Sequence, residues 1–130
     1  MLTFQILLIR LWIYKIRDSM KYFIYEYQRK GTCYLEFYKG KWDNKTFWKK
    51  DSILIDSDVL LDCKDFIDSI LEIIPTFDPF GVTEISYDAW KKIGKIILEK
   101  NTQSQEIFCE ADKLLKNAFA IHDCITILGV

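Results

Sequence analysis

The chain has 130 residues, half of them hydrophobic and 15% aromatic, with a formal net charge of −1. That composition excludes a disordered chain, and the length suits one domain better than two independent cores. The near-neutral total conceals an asymmetry. Residues 29–50 balance to +5, residues 51–88 hold ten acids against Lys64 alone for a balance of −9, and residues 89–130 balance to +1. A basic block followed by an acidic one is a reason to look for a charged partner, although such runs also serve as solvated faces and loops.

Residues 1–19 (MLTFQILLIRLWIYKIRDS) have the apolar look of an export signal but fail its details. No basic stretch precedes the apolar run, Arg10 interrupts it, and no small-residue cleavage site follows. The pieces Ile6–Ile9 and Leu11–Tyr14 are far shorter than the roughly 20 residues of a spanning helix. The expectation is that residues 1–19 are a non-native extension, that Met20 is the start, and that residues 20–130 form a single α+β domain. A weak membrane anchor is the alternative for residues 1–19.

Residues 21–28 (KYFIYEYQ) and 33–39 (CYLEFYK) are aromatic and β-branched runs. In the second, Cys33, Leu35 and Phe37 alternate with Tyr34, Glu36 and Tyr38, the period-2 pattern of a half-buried strand. Gly31 lies in the four residues between the runs, so an antiparallel hairpin is expected. Residues 40–52 read as a basic loop carrying Trp42, Phe47 and Trp48, and Ile53–Ile55 as a short strand. Asp56, Ser57 and Asp58 offer N-caps for one helix reaching Ile74, where Pro75 ends it. In that helix Phe66, Ile67, Ile70, Leu71 and Ile74 take one side and Asp62, Asp65, Asp68 and Glu72 the other.

Residues 75–85 hold both prolines and Gly81 and read as a stiff irregular loop. Ser86 caps a second helix with Trp90, Ile93 and Ile97 inward; Gly94 within it implies close packing against a neighbour. Ser104 caps a third, in which Ile107, Phe108, Ala111, Leu114, Leu115, Ala118 and Phe119 recur at helical spacing. The apolar run Cys124–Val130 suits a strand buried on both faces beside the N-terminal hairpin. The expected architecture is an antiparallel or mixed sheet of three to four strands packed by about three helices.

Chemistry is sparse. Cys33, Cys63, Cys109 and Cys124 lack zinc-ligand spacing and read as buried free thiols. His122 and Cys124 are i, i+2 neighbours about 7 Å apart on a strand, too far for a nucleophile–base pair. Asp56, Asp58 and Asp62 are the best candidates for a metal-dependent phosphoryl-transfer site, but no glycine-rich phosphate loop accompanies them and aspartates at a helix start ordinarily cap it. Lys and aromatics alternate over Tyr38–Lys50 as they do on single-strand nucleic-acid binders, yet the adjoining acidic block would repel phosphate. No cofactor is implied.

The layout from Met20 onward resembles the small α+β immunity proteins of bacterial polymorphic-toxin and contact-dependent growth inhibition systems. The resemblance is carried by the aromatic N-terminal runs, by the Pro75–Ile85 loop followed by Trp90, and by the closing Thr126–Val130. It implies a cytoplasmic, non-catalytic protein that neutralises one cognate toxin, commonly a nuclease, with no nucleic-acid or membrane partner. Physically, the expected contacts with a basic toxin domain are Asp56, Asp58, Asp62, Asp65, Asp68, Asp78 and Glu84, with Trp42 and Trp48 as aromatic anchors.

Overall fold

The computed structural model describes residues 20–129. Among them the fold is α+β, with strands β1 (Phe23–Ile24), β2 (Tyr34–Lys39), β3 (Ile53–Asp56), β4 (Val82–Ser86) and β5 (Cys124–Leu128). The helices are α1 (Ser57–Asp62), α2 (Lys64–Ile73), α3 (Tyr87–Ile97) and α4 (Thr102–Ile121). The strands form one antiparallel sheet in the order β1-β3-β2-β5-β4. The sheet thus has five strands, more than the three to four expected. No helix among the described residues is long and apolar enough to cross a membrane. Residues 1–19 and the reading of them as an extension lie outside the described residues.

Register sorts the strand residues onto two faces, because residues directly opposite in a ladder point the same way. Phe23, Leu35, Phe37, Ile53, Ile55, Ile85, Ile125 and Ile127 share one face and form a single core with Leu60, Phe66, Ile70, Trp90, Ile93, Ile107 and Leu115 of the helices. Trp90 is the largest side chain in it. It stacks on Phe108 at 4.5 Å between ring centres, and its Nε1 donates to Asp112 of α4 at 2.9 Å.

Several local expectations are corrected. The β1–β2 hairpin does not form: a 3-10 turn at Glu26–Gln28 follows β1, and β3 lies between β1 and β2. The helix expected to reach Ile74 breaks at Cys63, whose φ of −86° and ψ of 76° are not helical, giving α1 and α2. Part of the loop expected at 75–85 is strand β4, with Thr83 and Ile85 buried and Val82, Glu84 and Ser86 exposed. Asn101, not Ser104, caps α4: its side chain accepts from the Ser104 N–H at 2.8 Å. Ser104 is buried instead, its hydroxyl 3.1 Å from the Cys63 thiol. Cys63, Cys109 and Cys124 are buried free thiols as expected, but Cys33 is exposed. Burial, with help from Asp112 and Glu106, pushes Cys109 up to about 12.

β2 is where the alternation misleads. Glu36 and Tyr38 were expected on a solvent side, yet both are buried, Glu36 at 1% exposure. The loop of residues 40–52 lies against this second face. Glu36 accepts the backbone N–H of Trp48 at 2.7 Å and of Lys49 at 3.0 Å. Trp48 has φ of 59°, the left-handed region that a bulky residue enters only when its surroundings hold it there. The two bonds to Glu36 supply that hold.

Candidate functional site

The acidic block resolves into residues with structural duties and residues without. Asp56 is the N-cap of α1, its Oδ1 accepting from Asp58 N–H at 2.8 Å and Val59 N–H at 3.2 Å. Asp78 holds a turn, accepting from Phe80 N–H at 2.9 Å. Asp65 is half-buried in the first turn of α2, where a carboxylate is favoured by the helix dipole.

Asp58, Asp62, Asp68 and Glu72 are different. All four are exposed, and none forms an ion pair with a described residue. Asp58 and Asp62 are one helical turn apart on α1, and Asp65, Asp68 and Glu72 run down one side of α2, so like charges face one another at i, i+3 and i, i+4 spacing. Each such pair costs an isolated helix roughly 0.2–0.5 kcal/mol. Asp62 and Glu72 also sit in the last turns of α1 and α2, where neither helix places a basic residue and the dipole opposes negative charge. Asp58, in the first turn of α1, is favoured by the dipole, but Asp62, Asp68 and Glu72 work against the stability of their own helices.

The expected contacts do not form one site. Asp78 and Glu84 belong to the β4 end of the sheet, three strands from β3 and Asp56, roughly 14 Å at the usual interstrand spacing. Trp48 lies on the second sheet face, across the sheet from the core that α1 and α2 cover, and Trp42 belongs to the same loop. Both are half-buried and engaged. Trp42 donates through Nε1 to the Thr46 carbonyl at 2.7 Å and packs on Phe47, while Trp48 packs edge-on to Tyr34 with the Arg29 guanidinium 4.5 Å from its ring centre.

No family model matches the chain, and neither a curated protein nor a solved structure resembles it significantly.

Among the described residues no three His, Cys, Asp or Glu side chains gather into a group able to hold a metal ion, so Asp56, Asp58 and Asp62 are not brought together as ligands. His122 is exposed and its ring lies against Gly40. Burial first, and then the adjacent Glu84 carboxylate, raises the Cys124 thiol above its usual range, the reverse of what activates a nucleophile.

Two structural carboxylates escaped sequence reasoning besides Glu36. Glu110 of α4 accepts the backbone N–H groups of Lys21, Tyr22 and Phe23 at 2.7, 2.8 and 2.7 Å, and Asp112 takes the Trp90 indole N–H. For Glu36 a signal existed. Tyr34 and Tyr38 flank it on the same face, and two aromatics on a supposed solvent side mark a second covering layer.

Proposed function

We propose that this chain is a non-catalytic protein-binding inhibitor of the immunity kind, which neutralises a basic toxin domain through the carboxylates of α1 and α2. The observation that carries the reading is the uncompensated row of Asp58, Asp62, Asp68 and Glu72, whose like charges repel along their helices, with Asp62 and Glu72 opposed by the helix dipoles as well. Positions that work against local stability are explained when a partner's positive charge relieves them. Rigid negative charge also raises the encounter rate with a cationic partner and selects against acidic ones. In this reading the protein works in the cytoplasm, needs no cofactor, and uses Asp56 and Asp78 only to shape the surface.

The test is growth protection in cells expressing the toxin candidate encoded beside this gene, with wild-type protein or D58K/D62K/D68K. Asp65 is left alone because, unlike the three exposed residues changed, it is half-buried. Loss of protection by a folded variant, together with a complex that weakens as salt rises, is the expected result. A folded triple variant that protects as well as wild type overturns the proposal.

A further inference from the structure

The two edges of the sheet are finished differently. At β1 the strand is two residues long, and Glu110 occupies the N–H groups of Lys21, Tyr22 and Phe23. Short length and occupied donors are how a sheet edge is closed to other strands.

β4 is five residues long and, among the described residues, pairs only with β5. Gly129 N–H donates to the Gly81 carbonyl and Tyr87 N–H to the Asp123 carbonyl, bracketing an unbroken register from Val82↔Leu128 to Ser86↔Cys124. In an antiparallel ladder the bonded positions alternate. Residues 81, 83, 85 and 87 therefore aim their backbone groups at β5, while Val82, Glu84 and Ser86 aim their N–H groups outward. The carbonyls of Val82 and Glu84 point the same way, and no described residue takes these groups.

Apolar side chains are exposed along β4 and the turn before it: Phe80 is 72% and Val82 50% exposed. The turn carrying Phe80 is fixed, since Asp78 accepts its N–H and Gly129 packs so closely on the Pro79 backbone that a Cβ there would collide.

Charge selects the occupant. Residues 75–90 contain Asp78, Glu84 and Asp88 and no Lys or Arg, and Asp123 adjoins Tyr87 across the ladder. Cations border this group: Lys91 pairs with Asp88 at 3.9 Å, Lys92 follows it on α3, and Lys41 lies near Cys124. A second copy of the chain fits poorly. Two-fold antiparallel pairing sets Glu84 opposite Glu84, Val82 or Ser86 of the other copy and doubles the local negative charge.

We infer that the outer edge of β4 is a docking site for an extended, cationic segment of a protein partner, which adds to the sheet as a strand. Its backbone meets Val82, Glu84 and Ser86, its Lys or Arg side chains meet Glu84 and Asp78, and its apolar side chains meet Val82 and Phe80. The contact goes beyond the α1–α2 surface and stands separately from it, because it lies at the far end of the sheet and works through the backbone.

The experiment titrates the full chain, labelled with nitrogen-15, with a Lys–Val peptide of about eight residues in the repeat Lys-Lys-Val-Val, which sets Lys and Val by turns on each face of the strand, and with the matching Glu–Val peptide as control. Only Lys–Val should shift the amide signals of Val82, Glu84 and Ser86 and slow their hydrogen exchange. Glu84→Pro deletes one outward N–H without touching a bond to β5. It should weaken binding by about two- to tenfold, the equivalent of one net backbone hydrogen bond. Should proline unfold the domain, Glu84→Lys tests the same edge by charge. D58K/D62K/D68K should leave the peptide effect intact, so failure here is separable from failure of the α1–α2 surface. Absence of shifts at these amides, equal response to Glu–Val, or concentration-dependent shifts without peptide (a second copy at the edge) each overturns the inference.

Discussion

Replacing Glu36 with Gln keeps the shape of the side chain and removes half of its function. The carboxylate receives two backbone N–H groups, from Trp48 at 2.7 Å and Lys49 at 3.0 Å, at a site 1% exposed. A glutamine presents one carbonyl oxygen and one NH2, so one N–H keeps a neutral acceptor and the other faces a donor. A hydrogen bond to a charged group contributes about 1.5–3 kcal/mol net, and a buried donor left unpaired costs about 1–3 kcal/mol. Glu36→Gln should therefore destabilise the domain by about 2 kcal/mol. Urea denaturation checks the size: at a slope of about 1.5 kcal/mol per molar, the midpoint falls by roughly 1.3 M. Amide exchange checks the place, since Trp48 and Lys49 should lose protection before the amides of β2 and β5. Trp48, no longer held at φ of 59°, should relax towards negative φ, with a change in near-ultraviolet circular dichroism. An unchanged midpoint, or a loss of protection spread evenly over the sheet, refutes the view that Glu36 pins this loop.

Gly94→Ala should destabilise the protein by about 1 kcal/mol, although a glycine-to-alanine change in a helix interior ordinarily gains about that much. The added Cβ would meet Phe108 ring carbons at 2.6 and 2.8 Å, and that ring is backed by Trp90. Thermal melts of Gly94→Ala with and without Phe108→Leu should show the smaller side chain relieving the penalty; a stabilised single variant contradicts the packing. Asp43 is held down to about 2 by the Thr46 hydroxyl first, then by the Thr46 and Lys45 N–H groups. A depressed carboxylate stabilises its turn above the ordinary value of 3.8 and loses that contribution as pH falls towards about 2. A carbonyl-carbon NMR titration should find Thr46→Ala moving the Asp43 midpoint upward; no movement denies the hydroxyl its role.

How much of this was legible in the sequence depended on whether a signal was local. The inner stripes of α3 and α4, the Ser86 cap and the doubly buried β5 all followed from spacing, because hydrophobic periodicity reports burial directly. Strand partnership did not follow. Two aromatic runs with a glycine between them look like a hairpin whatever strand lies between them in space, and β3 reaches its place only through the long loop of residues 40–52. β4 showed alternation at Thr83 and Ile85, but the prolines and Gly81 just before it outweighed four or five residues of pattern. For the candidate surface, the acids were legible and their grouping was not. Sequence placed Asp78 and Glu84 beside the aspartates of α1 and α2, whereas the strand order sends them to the other end of the sheet.

The position of β5 also orders events in time. It lies between β2 and β4, yet it is the last strand of the five to be synthesised. Until residues 124–128 have left the ribosome, β2 and β4 have no common neighbour, and the Ile125 and Ile127 layer of the core is missing. The nascent chain can preform α4 but cannot close the sheet, so the domain completes itself only once this last of its strands has been made. Whatever the two acidic surfaces bind, they are held in their final relation only after that last strand is in place.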